Sequence, residues 1–402
     1  MTVHMTVHNK TAPAGLSAFS ACAKAGPIRL AYFVHDLGDP AVARRLAMLR
    51  PYLASAIIIG FHRAATPPAL VEGWPVLALG RTKDGKLRQR AVAVVQNLFL
   101  LPQLRRHLAG TDVIMARQLE MLTLATAARR IHAKSAALVY ECLDIHRMML
   151  GTGAASAALR FAEGRLLHAA ELLVVSSPAF VEEYFTPRHN FLPPVCLIEN
   201  KVLQEEIIHG TSAPLPPGPP WRIGWYGVLR CRRSLQLLIA LSNALPGQII
   251  VELRGRPARA AIPDFDTLVA AAPHVIFHGA YDRQRDLADM YRSIHFTWAI
   301  DFYEAGQNSA WLLPNRLYEG GAYGAVPLAM AGVETGRWLA RENAGILFGD
   351  SLAEELLAFF SNLSPRAYAA TRENLQSIPA THWIDDGTDT QRLLAALTMP
   401  QT

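Results

Sequence analysis

The segment Gly210–Pro220, GTSAPLPPGPP, contains five prolines and two glycines, and it limits the fold more than any other stretch of the 402-residue chain. Each proline lacks an amide proton and fixes its own φ, so neither a helix nor a central strand can run through it. On both sides the chain alternates short β-rich runs with helical patterns. Before it, strands are predicted at Ile28–Val34, Ala56–Gly60, Asp112–Ala116, Ala137–Glu141, Leu172–Ser176 and Val195–Ile198. After it they are predicted at Arg222–Gly227, Ile249–Arg254, Val275–His278, Phe296–Ala299, Val326–Ala329 and Gly345–Phe348. The fold class is therefore α/β, with two Rossmann-like domains, 27–209 and 221–375, joined by the linker 210–220. Residues 376–402, with Trp383 and Leu393–Leu397, are expected to cross back over the junction. Parallel sheets bind ligands at the carboxyl ends of their strands, which puts the expected site in the cleft between the domains.

Composition narrows the classes. Hydrophobic residues make up 51% of the chain and charged residues 18%, enough apolar surface for two cores and too little charge for a disordered polymer. The repeated MTVH at Met1 and Met5 and the small, polar residues up to Gly26 suggest an unstructured leader, 1–26, without the apolar core of a signal peptide. No uncharged apolar run approaches the ~18–20 residues of a membrane span, so a cytoplasmic protein is expected. Cys22, Cys142, Cys196 and Cys231 form no metal-ligand spacing, and the 14 histidines contain no HExxH, so neither metal nor cofactor is expected. The net charge of +6 favours anionic partners. Asp264-Phe-Asp266 follows Pro263 in a helix-entry loop and reads as a cap.

Three segments of the second half carry chemistry. In Leu312–Gly332, Pro314 suits a helix start and Gly324 its end, which sets Arg316 and Glu319 on one helical face. A guanidinium near a helix N-terminus suits a diphosphate, and a carboxylate one turn on can accept ribose hydroxyls; the same spacing also describes an exposed salt bridge. Gly227–Ser234 is a glycine-bearing turn with Arg230, Arg232 and Arg233 entering a helix, an anion site or a solvated basic loop. His274–Ile300 runs strand, glycine turn, helix and strand.

These segments resemble the carboxyl-terminal domain of GT-B glycosyltransferases of the family-four type. Asn315-Arg-Leu-Tyr-Glu319, with Gly324, Val326 and Pro327, is similar to the family's Asn-Lys-Leu-x-Glu and Gly-x-Pro-Val signature. The resemblance implies that Glu319 holds the nucleotide ribose and that Arg316 faces the diphosphate, with Asn315 beside it. Gly227 and Arg233 match the family's phosphate-binding turn, Val228 replaces its usual arginine, and Arg230 can compensate. Gly279 and Tyr281 would meet the base. Trp311 stands where many retaining members carry an acidic residue, and Glu304 lies too far upstream to be relied on as a displaced equivalent.

In the first half, Leu138-Val-Tyr140 followed by Asp144 resembles the Leu-Val-Tyr-x-x-x-Asp of bacterial exopolysaccharide transferases of the xanthan and succinoglycan type, where the Asp is a general base. Without that resemblance Asp144 reads as a helix cap. His35, Asp36 and Arg44 are similar to that family's first, acceptor-binding loop. Leu87–Leu108 combines Arg88, Arg90, Arg105 and Arg106 with an apolar cluster, and reads either as a membrane-resting stripe or as core.

The function this implies is a metal-independent, inverting hexosyl transfer in exopolysaccharide assembly, from a nucleotide sugar (UDP-sugar favoured, GDP-mannose as the other option) to a polyprenyl-diphosphate-linked oligosaccharide at the cytoplasmic membrane surface. One rival is a nucleotide-sugar 2-epimerase on the same scaffold, which would convert donor alone. The other is a basic nucleic-acid-binding protein, which lacks an aromatic-basic recognition motif.

Overall fold

A computed structural model describes residues 27–82, 87–208 and 213–398. The expected leader and part of the proline-rich linker lie outside the described residues. Eight strands form the first sheet: β1 (Ile28–Val34), β2 (Leu53–His62), β3 (Leu70–Val71), β4 (Trp74–Arg81), β5 (Val113–Arg117), β6 (Ala137–Cys142), β7 (Leu172–Val175) and β8 (Val195–Leu197). Their order is β3-β4-β2-β1-β5-β6-β7-β8, parallel except for the β3–β4 hairpin. That hairpin was not predicted from the sequence: β4 contains Pro75 and Gly80 and lies near the sheet edge with many positions half open, so it lacks a continuous buried run.

Strand alternation explains the layering. On β1, Ala31 and Phe33 face one core with the helix Leu119–His132, while Leu30, Tyr32 and Val34 face another with the helix Pro40–Leu49. After a short strand β9 (Val202–Leu203), the second sheet comprises β10 (Trp221–Leu229), β11 (Ile249–Pro257), β12 (Val275–Phe277), β13 (Phe296–Trp298), β14 (Val326–Met330) and β15 (Ile346–Phe348). All its pairings are parallel, in the order β12-β11-β10-β13-β14-β15. The strand order reverses direction between β1 and β5 in one sheet and between β10 and β13 in the other. These are the switch points at which loops part and leave room for ligand.

The chain then returns to its first domain. Tyr368, Leu375 and Trp383 pack in the second core, after which β16 (Ile384–Asp385) pairs with β9. The helix Thr388–Thr398 places Leu393 and Leu394 in the core beneath β1, and Lys201 pairs with Asp389 at 3.0 Å. A second tie runs the other way: Trp311 and Leu312, from the second domain, pack against the first domain's core. Asp264 stands at the N-cap position of the helix Phe265–Ala270, but its side chain makes no capping hydrogen bond. It pairs instead with Arg232, and Asp266 pairs with Arg259 at 3.0 Å.

Candidate active site

In the second domain the site forms where β10 and β13 diverge. The strand β10 continues to Leu229, so Gly227 lies within it and the turn shrinks to Arg230 and Cys231 before the helix Arg232–Ala244. Gly227 has φ 111°, and its partner Gly255 lies so close that a Cβ there would sit 1.8 Å from the Gly227 carbonyl. Three arginines converge on the loop after β13. The Arg233 guanidinium lies 4.1 Å over the Phe302 ring, and that of Arg230 lies 4.6 Å over Tyr303 and 3.8 Å from Asp301. Arg316 donates to the Ile300 carbonyl at 3.3 Å and lies 4.0 Å from Asp301, while its buried Nε has no hydrogen-bond partner among the described residues. One carboxylate beside two guanidiniums, with a third stacked on the neighbouring Phe302, leaves surplus positive charge suited to a diphosphate.

Arg316 stands on the helix Asn315–Tyr323, where Pro314 is the N-cap and Gly324, at φ 79°, closes the C-terminus. Asn315 is exposed at its first position. Glu319 is buried, with one oxygen taken by Arg283 and the other accepting the Tyr291 hydroxyl at 2.7 Å. Arg283 also bonds Glu206, just after β9, at 3.0 Å. Removing Glu319 therefore disturbs packing as well as any nucleotide contact, a coupling that sequence spacing does not show. Gly279 adopts φ 80°, and burial, then Glu319, pushes the Tyr281 hydroxyl up to about 12. Gly279 and Tyr281 thus border the Glu319 end of the site, and the arginines the other.

In the first domain, Asp144 follows β6 and reaches solvent in the cleft, its Oδ1 accepting Gln118 Nε2 at 2.6 Å. Crowding protein, then Asp39, and also Glu304 of the other domain raise its pKa, while Arg117 and Arg230 act against them. Beneath it Glu141, fully buried, accepts Arg45 Nε at 2.7 Å, Arg117 Nε at 2.8 Å and the Tyr32 hydroxyl. Burial alone would raise Glu141; the two arginines bring it down to about 2. Arg117 also holds Asp39 at 2.9 Å, and Asp39 caps the helix Pro40–Leu49. The two domains meet at Asn308, whose carboxamide accepts from Ile145 N at 2.8 Å and donates to Ile145 O and to Glu304 at 2.7 Å. Glu304 also lies 3.4 Å from Arg147, so it borders the Asp144 loop.

Several predicted residues sit elsewhere than expected. His35 lies 3.9 Å from Asp39, but burial holds it neutral, down to about 3. Asp36 is committed to Arg63 at 3.1 Å and to Gly38 N, which fixes its own loop. Arg44 lies near the Arg283, Glu206 and Glu319 cluster: burial, then Arg283, lowers it to about 10 while Glu206 and Glu319 oppose them. Arg90 turns inward to pair with Glu120, whereas Arg105 and Arg106 are exposed and Arg88 lies in the first turn of the helix Leu87–Leu100. That helix exposes Val92, Val95 and Phe99, the last by 80%. Beside Asp144 opens a mainly apolar cavity of about 360 Å³, lined by Val94, Val95, Leu119, Met149 and Leu159.

Sequence reasoning missed Gln118, Asp301, Phe302, Tyr303 and Asn308. A carboxylate with two aromatics directly after a predicted strand, Asp301-Phe-Tyr303, was the available signal; Gln118 and Asn308 offered none. Among the described residues no group of three or more His, Cys, Asp or Glu is arranged to hold a metal ion, and no helix is long and apolar enough to cross a membrane.

No protein-family model matches the chain. It is 44% identical over 385 residues to the succinoglycan biosynthesis protein ExoL of Rhizobium meliloti (strain 1021), covering 93% of this chain and 96% of that protein. Anabaena Alr3699/HepE, solved in complex with UDP and glucose, superposes with a TM-score of 0.65 at 17% identity, over 93% of this chain and 100% of that one. WaaG, a glycosyltransferase involved in lipopolysaccharide biosynthesis, does so with 0.62 at 13%, over 92% and 100%.

Proposed function

The chain belongs to the family of the succinoglycan biosynthesis protein ExoL, glycosyltransferases of the GT-B fold, and from that premise we propose that it moves a sugar from a UDP-sugar to a lipid-linked oligosaccharide with inversion. The observation that carries this reading is that Asn308 and Glu304 bring the Asp144 loop against the segment after β13, where Arg230 and Arg316 lie within 4.0 Å of Asp301. The acceptor oxygen attacks the anomeric carbon, its proton passes to Asp144, and the bond from that carbon to the diphosphate oxygen breaks. UDP leaves with the bonding pair. The arginines meet the charge that develops on the diphosphate, a role that needs no divalent ion.

Docking on the cytoplasmic membrane surface is part of the proposal, through Val92, Val95 and Phe99 with Arg105 and Arg106 beside them. The test is transfer from UDP-glucose to a lipid-linked saccharide by Asp144→Asn, which keeps the size of the side chain and cannot take a proton. A fall of at least ~10² in turnover is expected, with a β-linked product from the wild type. Wild-type turnover in the variant would exclude the base, and an α-linked product would exclude inversion.

A further inference from the structure

Gln118 has φ 73° and ψ 161°, a backbone region that side-chain-bearing residues almost never occupy. Its neighbours leave it no alternative. Arg117 is clamped by Glu141 and Asp39, Gln118 N donates to the Glu141 carbonyl at 3.1 Å, and Gln118 O accepts the first helical amide, Leu122 N, at 3.0 Å. The strained backbone directs the side chain to Asp144 Oδ1 at 2.6 Å. An ionised carboxylate only accepts, so the amide must present its Nε2 protons there. One carboxylate oxygen is thereby occupied and oriented, and the other is left for a hydroxyl.

We propose that Gln118 is a positioning residue for the base: it holds the Asp144 carboxylate in its ionised form, turned toward the acceptor. This rests on the base role proposed above. Asp144 faces Asp39 and Arg117 of its own domain and Glu304 and Arg230 of the other, and shares its cavity with Arg90, Glu120, Tyr140, Cys142, His146 and Glu163. Among these Gln118 is a neutral donor, so its removal changes the hydrogen bond without changing the charge count. A hydrogen bond to the charged form favours that form; its loss raises the pH at which Asp144 ionises.

The experiment labels aspartate carboxyl carbons with ¹³C, assigns Asp144 by difference from Asp144→Asn, and titrates it in the wild type, Gln118→Gly and Gln118→Glu. In parallel, UDP release from UDP-glucose by water is followed against pH. Gln118→Gly relieves the backbone, so it melts at or above the wild-type temperature. Its Asp144 resonance and the acid limb of UDP release both move up by about one pH unit. Gln118→Glu moves them further, through like charge. An unmoved resonance in both variants would overturn the positioning role, as would a shifted resonance with an unmoved acid limb. Wild-type UDP release by Asp144→Asn identifies a different failure, that of the base reading itself, and takes the proposal with it.

Discussion

The two domains share an architecture and place their charge oppositely. The second presents Arg230, Arg233 and Arg316 at strand–helix junctions around Asp301, partly open to water. The first buries Glu141, Arg45 and Arg117 beneath its loops and exposes mainly what they hold in place, Asp144 and Gln118. A diphosphate needs several cations that can stay hydrated until it arrives. A single base needs a fixed direction, and a buried ion network gives rigidity because each member is costly to leave unpaired.

This contrast is sharpest if variants of each half change different quantities. Asp144→Asn, in the first half, should cost ~10²–10⁴ in turnover while calorimetry gives an unchanged affinity for UDP-glucose. A matching fall in affinity would break the division of labour. In the second half, Arg316→Ala should weaken UDP binding by ~10–100-fold, the value of a charge-assisted hydrogen bond. Glu319→Gln should weaken it without unfolding, whereas Glu319→Ala also leaves the Tyr291 hydroxyl without its acceptor and Arg283 with Glu206 alone, and should cost on the order of 1–3 kcal/mol in a denaturant melt. Equal melts for the two would show that the Arg283 contact contributes nothing.

Liposome flotation tests the outer face of the first domain. Arg105→Glu with Arg106→Glu should reduce binding to anionic vesicles by roughly 30-fold or more, at ~1 kcal/mol for each basic residue lost. Unchanged flotation would confine that face to water. The smallest effect concerns His35. Burial first, then Arg117, Arg90 and Arg63, against Asp39, hold it down to about 3, so the folded protein keeps it neutral while the unfolded chain takes a proton near pH 6.5. Stability should decline as pH falls from about 6.5 toward 3, and His35→Gln should flatten part of that slope in urea melts. An unchanged slope would assign the decline to other groups.

Legibility followed the same division. Asn315, Arg316 and Glu319 lie within five consecutive positions on one helix, and Gly324 marks that helix's end, so local spacing set them on one helix while their nucleotide roles came only from the family resemblance. Asp144 drew notice because a carboxylate closely follows a β-rich run, a pattern that by itself describes a helix cap and that only the resemblance turned toward a base. The partner of Asp144 lies 26 positions earlier and that of Ile145 163 positions later, set by how strands order in a sheet and how two sheets meet. Arg90 and Asp36 were misread for a related reason: a charge beside a motif looks free in sequence, and here tertiary neighbours at Glu120 and Arg63 claim it.

The return of the last helix to the first domain bears on the order of events at the ribosome. Leu393 and Leu394 complete the core beneath β1, and Arg392 reaches the Leu197 carbonyl across 195 positions of sequence. A nascent first domain therefore emerges with an apolar surface that stays open until the helix Thr388–Thr398 has been made, while the second domain has all six strands available earlier. Domains usually fold in order of emergence; here the domain made first is the one finished last.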